Sequence, residues 1–179
     1  MSKLTEPAPV KIIFSVIFAR GADTDFLKQI LIENFGQLDF ESQIINFDKT
    51  GYYTEEMGAE LFRKIYSKKE VVKREQIIDI KIKANDIEEQ TSVNNKRVFN
   101  IDPGYLATEH FVLSTAKGYA HRPYLGKGVY ADLTLIYRDK NFSELEWTYP
   151  DYKSSELQNI LKEIRVNYIK NLREEKMYD

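Results

Sequence analysis

The sequence predicts an α+β fold in which strands and helices follow the order β-α-β-β-α-β, with an antiparallel hairpin and a C-terminal helix added. Three patterns predict this class. Residues 10–19 are apolar on both alternating faces, which is typical of a strand covered on both sides. Residues 129–138 alternate apolar and polar side chains, as strands do. Residues 155–175 repeat apolar side chains at helical spacing.

The composition indicates one domain and excludes several classes of function. The chain has 179 residues, so we expect residues 1–9 to form an extended or disordered tail and residues 10–179 a single domain. Because 26 lysines and arginines face 28 aspartates and glutamates, no global field attracts nucleic acid or anionic lipid. The chain has no cysteine and only two histidines, so we predict no disulfides, no thiolate metal site and no structural zinc.

The first residues lack the parts of a signal peptide, and the apolar run at 12–19 is shorter than the ~20 residues of a membrane span. Together with the absence of cysteine, this predicts a cytoplasmic protein without a membrane segment.

The first half of the chain alternates predicted strands and helices. After the strand at 10–19, Asp23 or Thr24 is expected to cap a helix that ends before Gly36. The next predicted elements are extended segments at 38–47 and 61–67, a helix at 73–90 and a strand at 97–101. The β-branched isoleucines within 73–90 leave a strand open as the alternative there.

The strand at 97–101 is expected to end at a turn formed by Asp102, Pro103 and Gly104. The resulting β-α-β-β-α-β succession is that of a ferredoxin-like core.

The second half is expected to extend the sheet. A short strand is predicted at 110–115, and the strand at 129–138 is expected to turn at 139–141 into an antiparallel partner at 142–147. In the strand at 129–138, Asp132 and Thr134 lie on the polar face of the predicted alternation. The helix at 155–175 opens with a Ser155 and Gln158 capping-box spacing, and its apolar stripe packs on the sheet or on a partner.

Residues 117–128 form a basic segment without an acidic residue. Gly126 and Gly128 would let backbone N–H groups approach a ligand, while the basic side chains neutralise a phosphate or carboxylate. The predicted anion-binding residues of this segment are Lys117, Arg122, Gly126, Lys127 and Gly128. The alternative is a hairpin connection in which the glycines make the turn and the basic side chains are solvated or pair with Asp and Glu. The segment lacks the P-loop spacing, so nucleotide hydrolysis of that type is not indicated.

His121 and Asp132 are the candidate catalytic residues. A histidine beside an arginine can transfer protons near neutral pH, and Asp132 could orient a basic residue or a metal. Asp102 and Tyr149 complete the predicted ligand-binding set. The alternatives are a structural histidine and carboxylates on a solvated surface.

Two aromatic clusters, at 52–53 and 147–152, could stack on a base or sugar, although such residues also cover the edge of a core.

Four segments together resemble a known family. They are YYTEEMG at 52–58, NIDPGYL at 100–106, HRPYLGKGVYA at 121–131 and WTYPDY at 147–152. The combination resembles the prokaryotic family catalogued as domain of unknown function 4416, over nearly the whole chain. The resemblance implies no established activity. Some members carry the label of GTP-binding protein, but this sequence has neither a P-loop nor an Asn-Lys-x-Asp motif.

Two functions are therefore expected. The first is the binding of a small phosphorylated metabolite or nucleotide at the segment 117–128, together with Asp102 and the segment 147–152. The second is a non-catalytic homo-oligomeric interaction or adaptor domain that uses its aromatic surface and C-terminal helix. The sequence predicts no particular cofactor or reaction, and the small basic patch argues against nucleic acid as the partner.

Overall fold

The fold is given by a computed structural model, which describes residues 3–48, 57–58 and 60–175. Within these residues it contains nine strands and three α-helices. The strands are β1 (Lys11–Ala19), β2 (Leu38–Glu41), β3 (Ile45–Phe47), β4 (Leu61–Lys68), β5 (Phe99–Leu106), β6 (His110–Thr115), β7 (Tyr124–Gly126), β8 (Val129–Arg138) and β9 (Asn141–Glu144). The helices are α1 (Thr24–Phe35), α2 (Ile77–Gln90), which follows a short 3-10 helix at Arg74–Gln76, and α3 (Ser155–Glu174). The predicted aromatic pair Tyr52 and Tyr53 lies outside the described residues.

The strands form one sheet in the order β2-β4-β1-β5-β6-β8-β7. β3 pairs with β4, and β9 pairs with β8. Every strand pair in this sheet is antiparallel. The predicted α+β class is confirmed in this form, as a large antiparallel sheet with three helices in the described part of the chain.

Helices cover both faces of the sheet. On the first face, Phe14 and Val16 of β1 pack in one cluster with apolar residues of α1 and α2. On the second face, Ile13 of β1 packs with the apolar stripe of α3, which includes Leu161 and Tyr168. The alternate residues of β1 therefore enter two different cores, which explains why its sequence is apolar on both faces.

β5 and β6 pair only at one end. Residues 104–106 of β5 lie opposite residues 113–111 of β6, and the two strands separate on the other side of Gly104. A Cβ atom at Gly104 would lie 2.6 Å from the carbonyl oxygen of Val112, so glycine permits this close approach. The predicted turn at Asp102, Pro103 and Gly104 is therefore wrong, because these residues continue β5.

Helix α2 occupies the place that β6 leaves open beside β5. The backbone N–H of Ile101 donates to Glu88 Oε1 at 2.5 Å, and Lys81 Nζ donates to the carbonyl oxygen of Ile101 at 3.4 Å. Side chains of the helix thus satisfy backbone groups that a neighbouring strand would otherwise use. The divergence of β5 from β6 opens a fork in the sheet.

Two further details differ from the sequence predictions. The register of β8 against β6 shifts between Phe111 and Val112, which lie opposite Leu135 and Leu133. This bulge buries Thr134, which was predicted on a polar face. Helix α3 is capped by Ser154 rather than by Ser155, since the Ser154 side chain accepts from the backbone N–H of Leu157.

Within the described residues, we find no helix with both the length and the apolar character required to cross a membrane.

Candidate functional site

A cavity of about 930 Å³ lies at the fork between β5 and β6. Its walls come from β1, β3, β4, β5, β6, β8, α2 and the segment between β6 and β7, and the segment before α3 closes another side. It brings together six of the nine residues that the sequence predicted for a site, namely Asp102, Lys117, His121, Arg122, Asp132 and Tyr149. They come from three separate parts of the chain, at Asp102, at 117–132 and at Tyr149, and the fork brings these parts together.

The remaining three predicted residues do not line this cavity. Gly126, Lys127 and Gly128 form the tight connection between β7 and β8, with φ angles of 130°, 50° and 81°. Lys127 Nζ lies 2.8 Å from Asp79 Oδ1, and both side chains are mostly exposed. These three residues therefore serve the turn, as the hairpin alternative expected.

Arg122 holds one wall of the cavity together. Its Nε donates to Asp132 Oδ2 at 2.8 Å, its Nη1 donates to the carbonyl oxygen of Lys117 at 3.0 Å, and its Nη2 donates to the Tyr149 hydroxyl at 2.5 Å. Each of its three nitrogens thus has an acceptor within the protein. The main role of Arg122 in this arrangement is to hold Asp132 and Tyr149 in position, and its hydrogen bonds are directed to the protein.

Asp132 is almost fully buried, at 1% exposure, in the middle of β8. Its Oδ2 is held by Arg122, while its Oδ1 is buried and has no hydrogen-bond partner among the described residues. A buried carboxylate oxygen without a donor is costly, so a ligand that donates a hydrogen bond there would be stabilised.

His121 lies next to Asp132. Its Nε2 is 3.6 Å from Asp132 Oδ2, which is too long for a hydrogen bond, and this buried nitrogen has no other partner in the described part of the chain. The imidazole stacks on the Trp147 ring with centroids 5.0 Å apart and an interplanar angle of 16°. Trp147 in turn donates from Nε1 to the carbonyl oxygen of Leu133 at 2.8 Å. The stacking fixes the plane of the imidazole beside the carboxylate.

The opposite wall carries a second polar network. Asn100 Nδ2 donates to Asp102 Oδ2 at 2.7 Å, and Lys81 Nζ lies 3.4 Å from Asp102 Oδ1. Arg97 Nη1 donates to Asn100 Oδ1 at 2.7 Å and lies 3.4 Å from Glu88 Oε2. Burial raises the pKa of the Glu88 carboxyl, and the Lys81 charge opposes that shift. Asp102 is therefore held in place by neighbours on both β5 and α2.

The sequence did not single out Arg63, and it indicated Asp151 and Tyr152 only as members of the segment 147–152. Arg63 on β4 is 4% exposed, and its Nη1 lies 2.5 Å from Asp151 Oδ2. Its guanidinium carbon lies 4.8 Å from the centroid of the Phe47 ring and 5.2 Å from that of Tyr152. The sequence did carry a signal for Arg63. The alternation along this strand places Arg63 on the same face as the apolar residues Leu61 and Ile65.

Two tyrosine hydroxyls of the cavity stay protonated at neutral pH. Burial raises the pKa of Tyr149, although the charge of Arg122 opposes the shift. Burial also raises the pKa of Tyr152, against the charge of Arg63. Both phenols are therefore neutral groups that can donate as well as accept hydrogen bonds.

The ionisable side chains of the lining are nearly balanced, with a small positive excess. Among the residues that the structure describes, the lining contains five cations, Arg63, Lys81, Arg97, Lys117 and Arg122, and four carboxylates, Glu88, Asp102, Asp132 and Asp151. Among the described residues there is no cluster of three or more His, Cys, Asp or Glu side chains that could hold a metal ion.

Comparison with known proteins gives a family but no described relative. No curated protein and no solved structure matches the chain. One family matches residues 8–168, a range that contains every residue lining the cavity. The resemblance seen in the four sequence segments is thereby confirmed. The chain belongs to the family described as Domain of unknown function (DUF4416).

Proposed function

We propose that this protein binds a small phosphorylated metabolite or nucleotide in the cavity between β5 and β6. The observation that carries the proposal is that Lys117, His121, Arg122 and Asp132 line one cavity of about 930 Å³. Pockets that bury small molecules commonly have volumes of roughly 300–1,000 Å³ and a few convergent polar groups. The cavity has both properties.

The charges of the lining favour an anionic ligand. The whole chain has a net charge of −2, whereas the described part of the cavity lining has one more cation than carboxylate. A local positive excess in a negative protein concentrates anions at that place. Tyr119 and Tyr149, which are 71% and 40% exposed, supply aromatic surface on which a base or sugar could stack.

Proton transfer is the chemistry that the His121 and Asp132 pair would add. A carboxylate close to an imidazole is a common arrangement of groups for general acid–base catalysis. The 3.6 Å separation and the stacking of His121 on Trp147 support this part of the proposal.

The homo-oligomeric alternative has weaker support. It relied on the apolar stripe of the C-terminal helix and on the aromatic residues before it. The stripe of α3, including Leu157 and Leu161, packs on the sheet of the same chain, and Tyr152 is buried there as well. Fewer apolar groups therefore remain for a partner.

A ferredoxin-like core is also part of the proposal. The strand order β2-β4-β1-β5 is antiparallel throughout, and α1 and α2 pack on the same face of these strands. Both features support the β-α-β-β-α-β arrangement expected from the sequence. We propose the cytoplasm as the location, which the cysteine-free composition supports.

Two lysines of the same segment provide a matched test. Lys117 lines the cavity and Lys127 does not, so Lys117→Ala and Lys127→Ala remove the same charge from two different surroundings. Thermal stabilisation should be measured with inorganic phosphate, sugar phosphates and nucleoside phosphates. We expect at least one probe to stabilise the wild-type protein, Lys117→Ala to weaken its binding, and Lys127→Ala to leave it unchanged.

If no phosphorylated probe stabilised the wild-type protein, the proposed function would be wrong. If the two lysine variants had equal effects, the cavity would not be the binding site.

A further inference from the structure

The two most buried arginines of the cavity, Arg122 and Arg63, differ in whether each of their nitrogens has a hydrogen-bond partner. All three nitrogens of Arg122 donate to acceptors in the protein. Arg63 is bonded through Nη1 to Asp151, whereas its Nε is buried and has no hydrogen-bond partner among the described residues. An unpartnered donor on a side chain that is 4% exposed costs free energy in the unliganded protein.

The nitrogen that remains unpartnered belongs to the edge of the guanidinium that binds oxyanions. The Nε–H and Nη2–H bonds point in parallel and can together bind two oxygens of a phosphate or carboxylate. Nη1, which Asp151 occupies, lies outside this edge. The guanidinium carbon lies 4.8 Å from the Phe47 ring centroid and 5.2 Å from that of Tyr152, and these two rings restrict the movement of the guanidinium plane.

We propose that the Nε and Nη2 edge of Arg63 receives the anionic group of the ligand. The group is an oxyanion with two available oxygens, and this inference rests on the proposed function. It moves the anion from the residues that the sequence predicted, Arg122 and Lys127, to an arginine on β4.

Asp151 explains how Arg63 is tolerated without a ligand. A buried cation without a counter-charge is strongly destabilising, and the Asp151 carboxylate supplies that charge. The backbone N–H of Tyr152 donates to Asp151 Oδ1 at 3.0 Å, which holds this carboxylate in place. A bound oxyanion would share the positive charge of Arg63 with Asp151.

Arg63→Lys tests the edge, because lysine keeps the charge and loses the planar pair of donors. Binding of inorganic phosphate and, in a separate arm, of acetate should be measured by calorimetry. We expect Arg63→Lys to weaken the binding of the preferred anion roughly tenfold or more. The arm that shows the loss assigns the group as phosphate or carboxylate.

Arg165→Lys is the matched control. Arg165 also has a buried Nε without a hydrogen-bond partner among the described residues, and its guanidinium lies 3.5 Å from the centroid of an aromatic ring, that of Tyr137. It lies on α3 and does not line the cavity. Arg165→Lys should therefore leave anion binding unchanged.

Asp151→Asn is a second variant with the opposite expected effect. It keeps Arg63 and an amide oxygen that can accept from Nη1, and it removes only the competing charge, so anion binding should become tighter. Circular dichroism confirms that each variant is folded, and this result decides the matter if Arg63→Lys does not fold. Unchanged binding in Arg63→Lys, or weaker binding in Asp151→Asn, overturns the inference while leaving the proposed function in place. Absence of anion binding by the wild-type protein in both arms overturns the inference, and the panel of phosphorylated probes then decides the proposed function separately.

Discussion

Arg122 and Lys127 lie close together in sequence, but their ion pairs have different surroundings. The side chains of Arg122 and Asp132 are 9% and 2% exposed, whereas those of Lys127 and Asp79 are 66% and 72% exposed. Removing one partner of a buried pair leaves an uncompensated charge, which costs roughly 3–5 kcal/mol. An exposed pair contributes about 1 kcal/mol at most. Burial therefore decides how much each basic side chain contributes to stability.

We expect Arg122→Met to lower the free energy of unfolding by roughly 3 kcal/mol in urea denaturation, because Asp132 is left buried without its partner. Lys127→Met is the control and should change it by about 0.5 kcal/mol or less. Adding Asp132→Asn to Arg122→Met should recover part of the loss, since the carboxylate charge is then gone. Equally small effects of the two single variants would contradict this account of Asp132.

At the scale of single residues, the sequence located the basic side of the site but not Arg63. Lys117, His121 and Arg122 stand out because they share a short segment without an acidic residue. Arg63 has no such neighbours, and its role depends on Phe47 and on the segment before α3, which reach it only in the folded chain. Local composition cannot show a contact of that kind.

At the scale of elements, α2 acts as a partner for the edge of β5. Glu88 and Lys81 bind the N–H and C=O groups of Ile101, so the strand can part from β6 without leaving these groups unsatisfied. Both side chains also line the cavity. The same contacts that stabilise the fork therefore build one wall of the site.

Because Glu88 is buried where it binds the backbone of Ile101, its ionisation should make the stability of the protein depend on pH. Burial raises its pKa, so folding favours the protonated acid, and that contribution is lost as the pH rises through the pKa of the folded state. Glu88→Gln cannot ionise and keeps an oxygen for the Ile101 N–H. Relative to the wild-type protein, Glu88→Gln should therefore gain stability as the pH rises above about 4, the ordinary pKa of a glutamate.

Urea denaturation at several pH values measures this difference. Glu89→Gln, at an exposed neighbouring position, is the control and should show no such trend. The measured quantity is the free energy of unfolding of Glu88→Gln minus that of the wild-type protein. If this difference stayed constant or fell as the pH rises, burial would not control the ionisation of Glu88.

The elements themselves were largely predictable, whereas the fork was not. Hydrophobic periodicity located β1, β8 and the three helices, because each has an apolar face that the core requires. The predicted turn at Asp102, Pro103 and Gly104 failed because turn preferences describe the local backbone. Here Gly104 is required by the approach of β6, a contact between distant parts of the chain.

At the scale of the whole molecule, α3 joins the two ends of the described chain. The Tyr168 hydroxyl donates to the carbonyl oxygen of Pro9 at 2.6 Å, just before β1. The stripe of α3 covers the second face of the sheet, while α1 and α2 cover the first. Because β1 contributes to both cores, loosening either face should weaken the other.

This coupling predicts that the chain unfolds as one cooperative unit. Leu31→Ala on α1 and Leu161→Ala on α3 each empty a fully buried position on a different face, and each should cost roughly 2–5 kcal/mol. The single tryptophan, Trp147, reports on the cavity by fluorescence, while far-UV circular dichroism reports on the whole backbone. Both signals should give the same urea midpoint in the wild-type protein and should shift together in both variants. If Leu161→Ala moved the fluorescence transition alone, the second face would be a separate unit, and the prediction of a single domain would be wrong.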